Sequence, residues 1–173
     1  FEIGIFHGVT ARNVCDLMHK NHKSDFKYIG IDLFDQSVNS NEIAPNFKFN
    51  NPLKNFYFKY IKRQNPYSAL AVQDLLKKYK ENIEIITGNT NETLKKLNLT
   101  NIDYIFIDGG HDFETVKNDL FFCKKFIRKD GCILCDDYDL SQAPGVKKAI
   151  DEFVSNNRCK FSIIANRFAK LEF

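Results

Sequence analysis

At 173 residues the chain is sized for one domain with a sizeable core, and an apolar share of 43% with 17 Phe points to a folded globule and excludes disorder. The net charge is only +3, and 25 basic and 22 acidic residues are interspersed, so nucleic-acid binding by bulk charge is not indicated. No apolar run has the length of a membrane helix and no basic stretch with an apolar signal core opens the chain, which predicts a soluble protein without a membrane partner.

In chain order, "FEIGIF" is apolar and β-prone, and because the first residues already read as a strand, whether natural sequence extends upstream of Phe1 stays open. "HGVTARNVCDLMHK" turns helical, with Thr10 as N-cap and Ala11, Val14, Leu17 and Met18 at helix spacing. "KYIGIDLF" is a second strand. Residues 35–66 are rich in Asn and aromatics and poorly periodic, which predicts a long loop or lid with a short helix around "NFYFKYIKR". "SALAVQDLLKKYK" is a helix with Val72, Leu75, Leu76 and Tyr79 on one face; the strand "IEIITG" and the short helix "NETLKKLN" follow.

"IDYIFIDGGHDF" opens as a strand apolar enough to be buried on both faces and ends in Asp108, Gly109, Gly110 and His111. After it, Phe113, Val116, Leu120, Cys123 and Ile127 trace a helical stripe. "GCILCDD" is a fifth strand, Pro144 opens a last helix, and "KFSIIANRFAKLEF" reads as a closing hairpin. Strands that alternate with helices predict a single α/β domain over residues 1–173, with a parallel sheet covered on both faces. The five cysteines read as reduced core residues of a cytoplasmic protein, and Cys132 and Cys135 lack the second pair or His cluster of a zinc site.

Ligands of such sheets sit beyond the carboxyl ends of the strands. After the first strand, Gly4 and Gly8 flank a turn into a helix, where backbone N–H groups approach a ligand, although Phe6 stands where a dinucleotide fingerprint has its middle glycine. Two glycines serving only the turn fit this stretch equally well. Asp32 ends the second strand, placed to accept from both hydroxyls of a ribose, with a helix cap or a solvated loop residue as the alternatives. Gly88 and Asn89 follow the third strand and are candidates to lie along an adenine, with capping of the next helix by Asn89 or Asn91 the even alternative.

These motifs together, "EIGIFHG", "IDLF", "TGN", "IDYIFIDGGH" and "GCILCDDY", resemble the class I S-adenosylmethionine-dependent methyltransferases over nearly the whole chain except residues 35–66. The resemblance implies a Rossmann-like, doubly wound, mostly parallel seven-stranded sheet with the last strand antiparallel. It also implies cofactor contacts from Glu2, Gly4, Phe6, Gly8, Asp32, Gly88, Asn89 and Asp108. The fourth and fifth strand ends are similar to the metal-dependent O-methyltransferases of the catechol and macrolide-sugar types. This implies Mg²⁺ held by Asp108, Asp136 and Asp137, although the catechol type has Asn where Asp137 stands.

The chemistry agrees, since adjacent strand ends lie roughly 5 Å apart and clustered carboxylates suit a hard cation. Carboxylates grouped without Lys or Arg beside them repel, which favours an ion over simple capping. His111 stands where the catechol type has its lysine base, and a free imidazole titrates near ~6.5, so His111 is either the proton acceptor or a wall of the pocket. The expected activity is methyl transfer to a hydroxyl of a sugar, polyol or phenol. Residues 35–66 then face the substrate, and the oligomeric state, a homodimer included, stays open. The competing readings are a metal-independent N- or RNA methyltransferase, a non-catalytic cofactor-binding module and an NAD oxidoreductase. "DGGH" in place of a proline-aromatic tetrapeptide argues against the first, and the missing middle glycine argues against the last.

Overall fold

The structure is a computed structural model and describes residues 1–34, 51–62 and 65–173. Its strands are β1 (Glu2–Ile3), β2 (Tyr28–Asp32), β3 (Ile83–Thr87), β4 (Ile102–Ile107), β5 (Ile127–Cys135), β6 (Lys160–Ile164) and β7 (Phe168–Glu172). They form one seven-stranded sheet in the order β3-β2-β1-β4-β5-β7-β6. β2 with β3, β1 with β4 and β4 with β5 run parallel, whereas β7 is antiparallel to β5 and β6. The helices α1 (Val9–His22), α2 (Pro52–Phe56), α3 (Ala69–Leu75), α4 (Thr90–Thr93), α5 (Phe113–Phe126) and α6 (Pro144–Asn156) connect them. The fold is therefore the Rossmann-like, doubly wound α/β sheet with its last strand antiparallel.

The chain divides into two compact units, Ile5–Gly88 and Phe1–Gly4 with Asn89–Phe173. In Ile5–Gly88, β2 is buried at all five positions, as its unbroken apolar run requires, and Ile5, Cys15, Phe34, Val72 and Leu76 pack around it. α1 begins earlier than its Thr10 cap would place it: Gly8, at φ +74°, is the N-cap and no side chain caps the helix. A left-handed residue makes the turn there, a conformation glycine adopts without steric cost. A Cβ at Gly8 would also press on Val72 and Leu75 at 3.2–3.3 Å. Ser68 caps α3 through Ala71 N–H at 3.2 Å. The short helix near residue 55 exists as α2, capped by Asn51 and continued by wider π-type turns over Tyr57–Lys62. Residues 35–50 and 63–64 of the expected lid lie outside the described residues.

In the other unit, β4 is only half buried: Ile105 and Ile107 are enclosed, but Tyr104 is 68% exposed, so this strand is not apolar-covered along its length. α5 buries Val116, Leu120 and Cys123 as its stripe predicts, but it stops at Phe126. Ile127, expected as the last stripe residue, instead takes extended backbone and pairs with Ile102, so β5 starts four residues earlier than "GCILCDD". A β-branched residue that satisfies a sheet ladder gains more than it would on a fraying last helical turn. Cys132 and Cys135, three apart on a strand, face opposite sides, and all five cysteines are free thiols.

Candidate active site at the strand ends

In Ile5–Gly88 the turn after β1 folds onto the carboxylate of Asp32, itself only 8% exposed. Oδ2 accepts from Ile5 N–H at 2.7 Å and Phe6 N–H at 2.8 Å, and Oδ1 accepts from Phe34 N–H at 3.0 Å and the Tyr67 hydroxyl at 2.7 Å. A carboxylate offers about four acceptor sites, and all of them are taken. Three donors are backbone groups that fix the turn; the fourth, Tyr67, is the one a rotating side chain supplies. Phe6 sits at φ +52° and Phe34 at φ +45°, sparsely populated conformations held by these bonds. Gly88 N–H closes the arrangement on Asp32 O at 2.9 Å, so Phe6, Asp32 and Gly88 are brought together, with Gly8 N–H on Ile5 O at 2.9 Å beside them.

In the other unit Glu2 is buried on β1, and Gly4 lies directly against the end of β4. A Cβ at Gly4 would stand 1.9 Å from Asp108 O, so only glycine lets the two chains approach so closely. Asn89 caps α4 through Asn91 N–H at 2.9 Å. Asp112, and not Asp108, caps α5, through Thr115 N–H at 2.9 Å, which leaves the Asp108 side chain at the strand end. The glycines of "DGGH" do not leave open space: Gly109 packs on Ile3 and Gly110 on Thr115.

β4 and β5 pair up to Ile107 and Cys135, so Asp108 and Asp136 emerge side by side, joined by Asp136 N–H to Ile107 O at 2.9 Å. Asp137, at φ +57°, donates its N–H to Asp136 Oδ1 at 2.6 Å, and its own carboxylate lies 3.2 Å from His111 Nε2. The recess lined by Asp108, His111, Asp136 and Asp137 has room for about 10 Å³, roughly one water molecule or one ion. Burial first, then the charges of Asp136 and Asp137, push Asp108 up to about 6, against the opposing pull of Arg167 and His111.

One expectation is corrected here: the carboxylates do have an arginine beside them. Arg167 Nη2 donates to Asp136 Oδ2 at 2.6 Å, its Nε donates to Oδ1, and Nη2 lies 3.5 Å from Asp137. Repulsion among unpaired acids therefore no longer argues for a metal by itself. As arranged, no group of three His, Cys, Asp or Glu side chains among the described residues could hold a metal ion. The donor chemistry, three carboxylates at one strand end, is still of the kind a hard cation takes.

Sequence reasoning did not reach Tyr67 or Arg167. Tyr67 bonds across 35 positions and Arg167 across 31, and neither lies in a periodic pattern. The antiparallel seventh strand was the available signal for Arg167, because such a strand starts at the edge where the parallel ones end.

A family model described as "Methyltransferase domain" matches residues 1–138. Among curated proteins, an uncharacterized protein of Acanthamoeba polyphaga mimivirus is 39% identical over 56 residues, 32% of this chain and 25% of that protein. The match thus spans a quarter of that relative's length. Among solved structures, the O-methyltransferase NovP superposes with a TM-score of 0.72 at 16% identity, covering 99% of this chain and 69% of that one. The SAH-bound methyltransferase of Podospora anserina gives 0.64 at 16%, over 99% and 70%. TomG of Streptomyces achromogenes, an O-methyltransferase of tomaymycin synthesis solved with SAM, gives 0.62 at 12%, over 99% and 70%. At these identities the superpositions speak for the fold, and the family match speaks for kinship. The chain belongs to the methyltransferase-domain family, with the class I fold.

Proposed function

We propose that this chain is an S-adenosylmethionine-dependent O-methyltransferase that methylates a hydroxyl of a small molecule, a sugar, polyol or phenol, with Mg²⁺ assistance. The observation that carries the reading is the pairing of carboxylates at the ends of β4 and β5 with His111 against one of them, on a methyltransferase fold. NovP and TomG, described as O-methyltransferases, support oxygen as the acceptor atom. The free cysteines, of which Cys15, Cys123 and Cys135 are buried, support a reducing compartment such as the cytoplasm. Residues 1–138 carry the match, and we assign the whole of 1–173 to one methyltransferase domain with 35–66 facing the substrate.

Asp32 takes the ribose. Because its four acceptor sites are filled, a ribose hydroxyl enters by replacing the Tyr67 hydroxyl, while the backbone donors keep the carboxylate fixed. Gly88 and Asn89 border the adenine, and Glu2, Gly4, Phe6 and Gly8 shape the turn toward the methionine portion. His111, with Asp137 at 3.2 Å to orient its ring, accepts the proton of the acceptor hydroxyl. The oxygen takes the methyl group as the sulfonium carbon–sulfur bond breaks, leaving S-adenosylhomocysteine. Asp108, Asp136 and Asp137 would hold Mg²⁺ through their carboxylate oxygens, and the ion, when bound, acidifies and orients a hydroxyl.

Calorimetry with S-adenosylmethionine and with NAD tests the cofactor: binding of the first alone is expected, and binding of NAD alone would overturn the reading. His111→Gln is expected to lower turnover by about 10²-fold or more and to flatten the pH profile. Full activity with an unchanged profile would remove the base role.

A further inference from the structure

β7 runs against β5, so its first residues arrive at the edge where β4 and β5 end. Ala169 pairs with Cys135, and Tyr138 N–H donates to Arg167 O at 3.0 Å, which pins the hairpin turn beside Asp136 and Asp137. From that anchor the guanidinium grips both oxygens of Asp136 and lies 3.5 Å from Asp137. The Asp136 side chain is 4% exposed while that of Arg167 is 57% exposed. The acid is therefore a fixed wall, and the arginine is a cover with solvent at its back. A forked guanidinium uses the same lone pairs that a hard cation needs, and it carries one positive charge where Mg²⁺ carries two.

Resting on the magnesium reading above, we propose that Arg167 is the resident counter-cation of the strand-end acids and competes with a divalent cation for Asp136 and Asp137. In the ion-free protein the guanidinium keeps Asp136 from standing buried and uncompensated. A divalent ion enters as Arg167 turns out to solvent, so its affinity is lowered by the contacts that must be given up. Arg167 thus acts through Asp136 and Asp137 as a positioning residue of the site.

Magnesium chloride titrated calorimetrically into the wild-type protein and R167Q tests this. R167Q is expected to bind Mg²⁺ about tenfold more tightly, one charge-assisted competitor having been removed. R167K, which keeps the charge but loses the fork, should fall between them. Equal or weaker binding by R167Q overturns the competition.

Because R167Q leaves a buried acid without its partner and can fold poorly, the wild-type protein supplies a second readout. The Nε–H resonance of Arg167 in a ¹⁵N-labelled sample, assigned by its absence in R167K, should shift on Mg²⁺ addition as the carboxylate bond is released. Mg²⁺ binding with that resonance unmoved overturns the proposal. Calorimetry with S-adenosylmethionine on the same samples separates the failures. If the cofactor binds but neither protein takes Mg²⁺, the competition and the magnesium assistance fall while the methyltransferase reading stands. If the wild type takes no cofactor, the methyltransferase reading fails, and the Mg²⁺ arms still decide the role of Arg167.

Discussion

Asp108 has only weak claims on positive charge: burial and two neighbouring carboxylates outweigh Arg167 and His111, and its carboxyl is raised from 3.8 to about 6. An acid raised in the folded state binds its proton more tightly there than in the unfolded chain, so its contribution to stability is full below about pH 4 and is lost as pH rises through about 6. Asp108→Asn in EDTA is expected to raise the urea midpoint at pH 7 by an amount worth on the order of 1–2 kcal/mol, after allowance for partial exposure. It should also flatten the fall in stability between those pH values. This acid was legible in the sequence because a charged residue at the end of an apolar strand needs a purpose. Its electrostatic surroundings were not, because Arg167 reaches the cluster through folding and not through any local pattern.

At the scale of the elements, the β6–β7 hairpin turns tightly. Ala165 and Asn166 both have positive φ, at +52° and +53°, and Arg167 N–H closes the turn on Ile164 O at 3.1 Å. Asn tolerates that conformation; Ala does not do so freely. Ala165→Gly is expected to raise stability by about 0.5–1 kcal/mol, read from thermal or urea unfolding. The N-terminus of α5 gives the opposite case: Asp112→Ala removes the bond to Thr115 N–H and should lower stability by about 1 kcal/mol. Element types were legible from periodicity, as the stripe of α5 and the run of β2 show. Boundaries were not, where one residue suits two elements: Ile127 fits the helical stripe and the strand alike, and the ladder to Ile102 decides.

At the scale of the whole molecule, strand order and family agree: the sheet draws on strands from Glu2 to Glu172, and the family match covers residues 1–138. Asp32 ties its unit together, holding Ile5, Phe6, Phe34 and Tyr67 at once. Asp32→Asn is expected to lower unfolding stability by about 1–3 kcal/mol and to weaken S-adenosylmethionine binding, measured by urea unfolding and calorimetry. Ribose contact alone would lower the affinity and leave stability unchanged. The carboxylate of Asp32 also has an optical consequence. The chain has no Trp and seven Tyr, so its ultraviolet emission is tyrosine emission. A phenol that donates to a carboxylate fluoresces weakly because the excited phenol hands its proton over, and Tyr67 is held in that state. If, as proposed, a ribose hydroxyl takes its place on Asp32, Tyr67 should brighten, and the protein would then report its own nucleoside without a label.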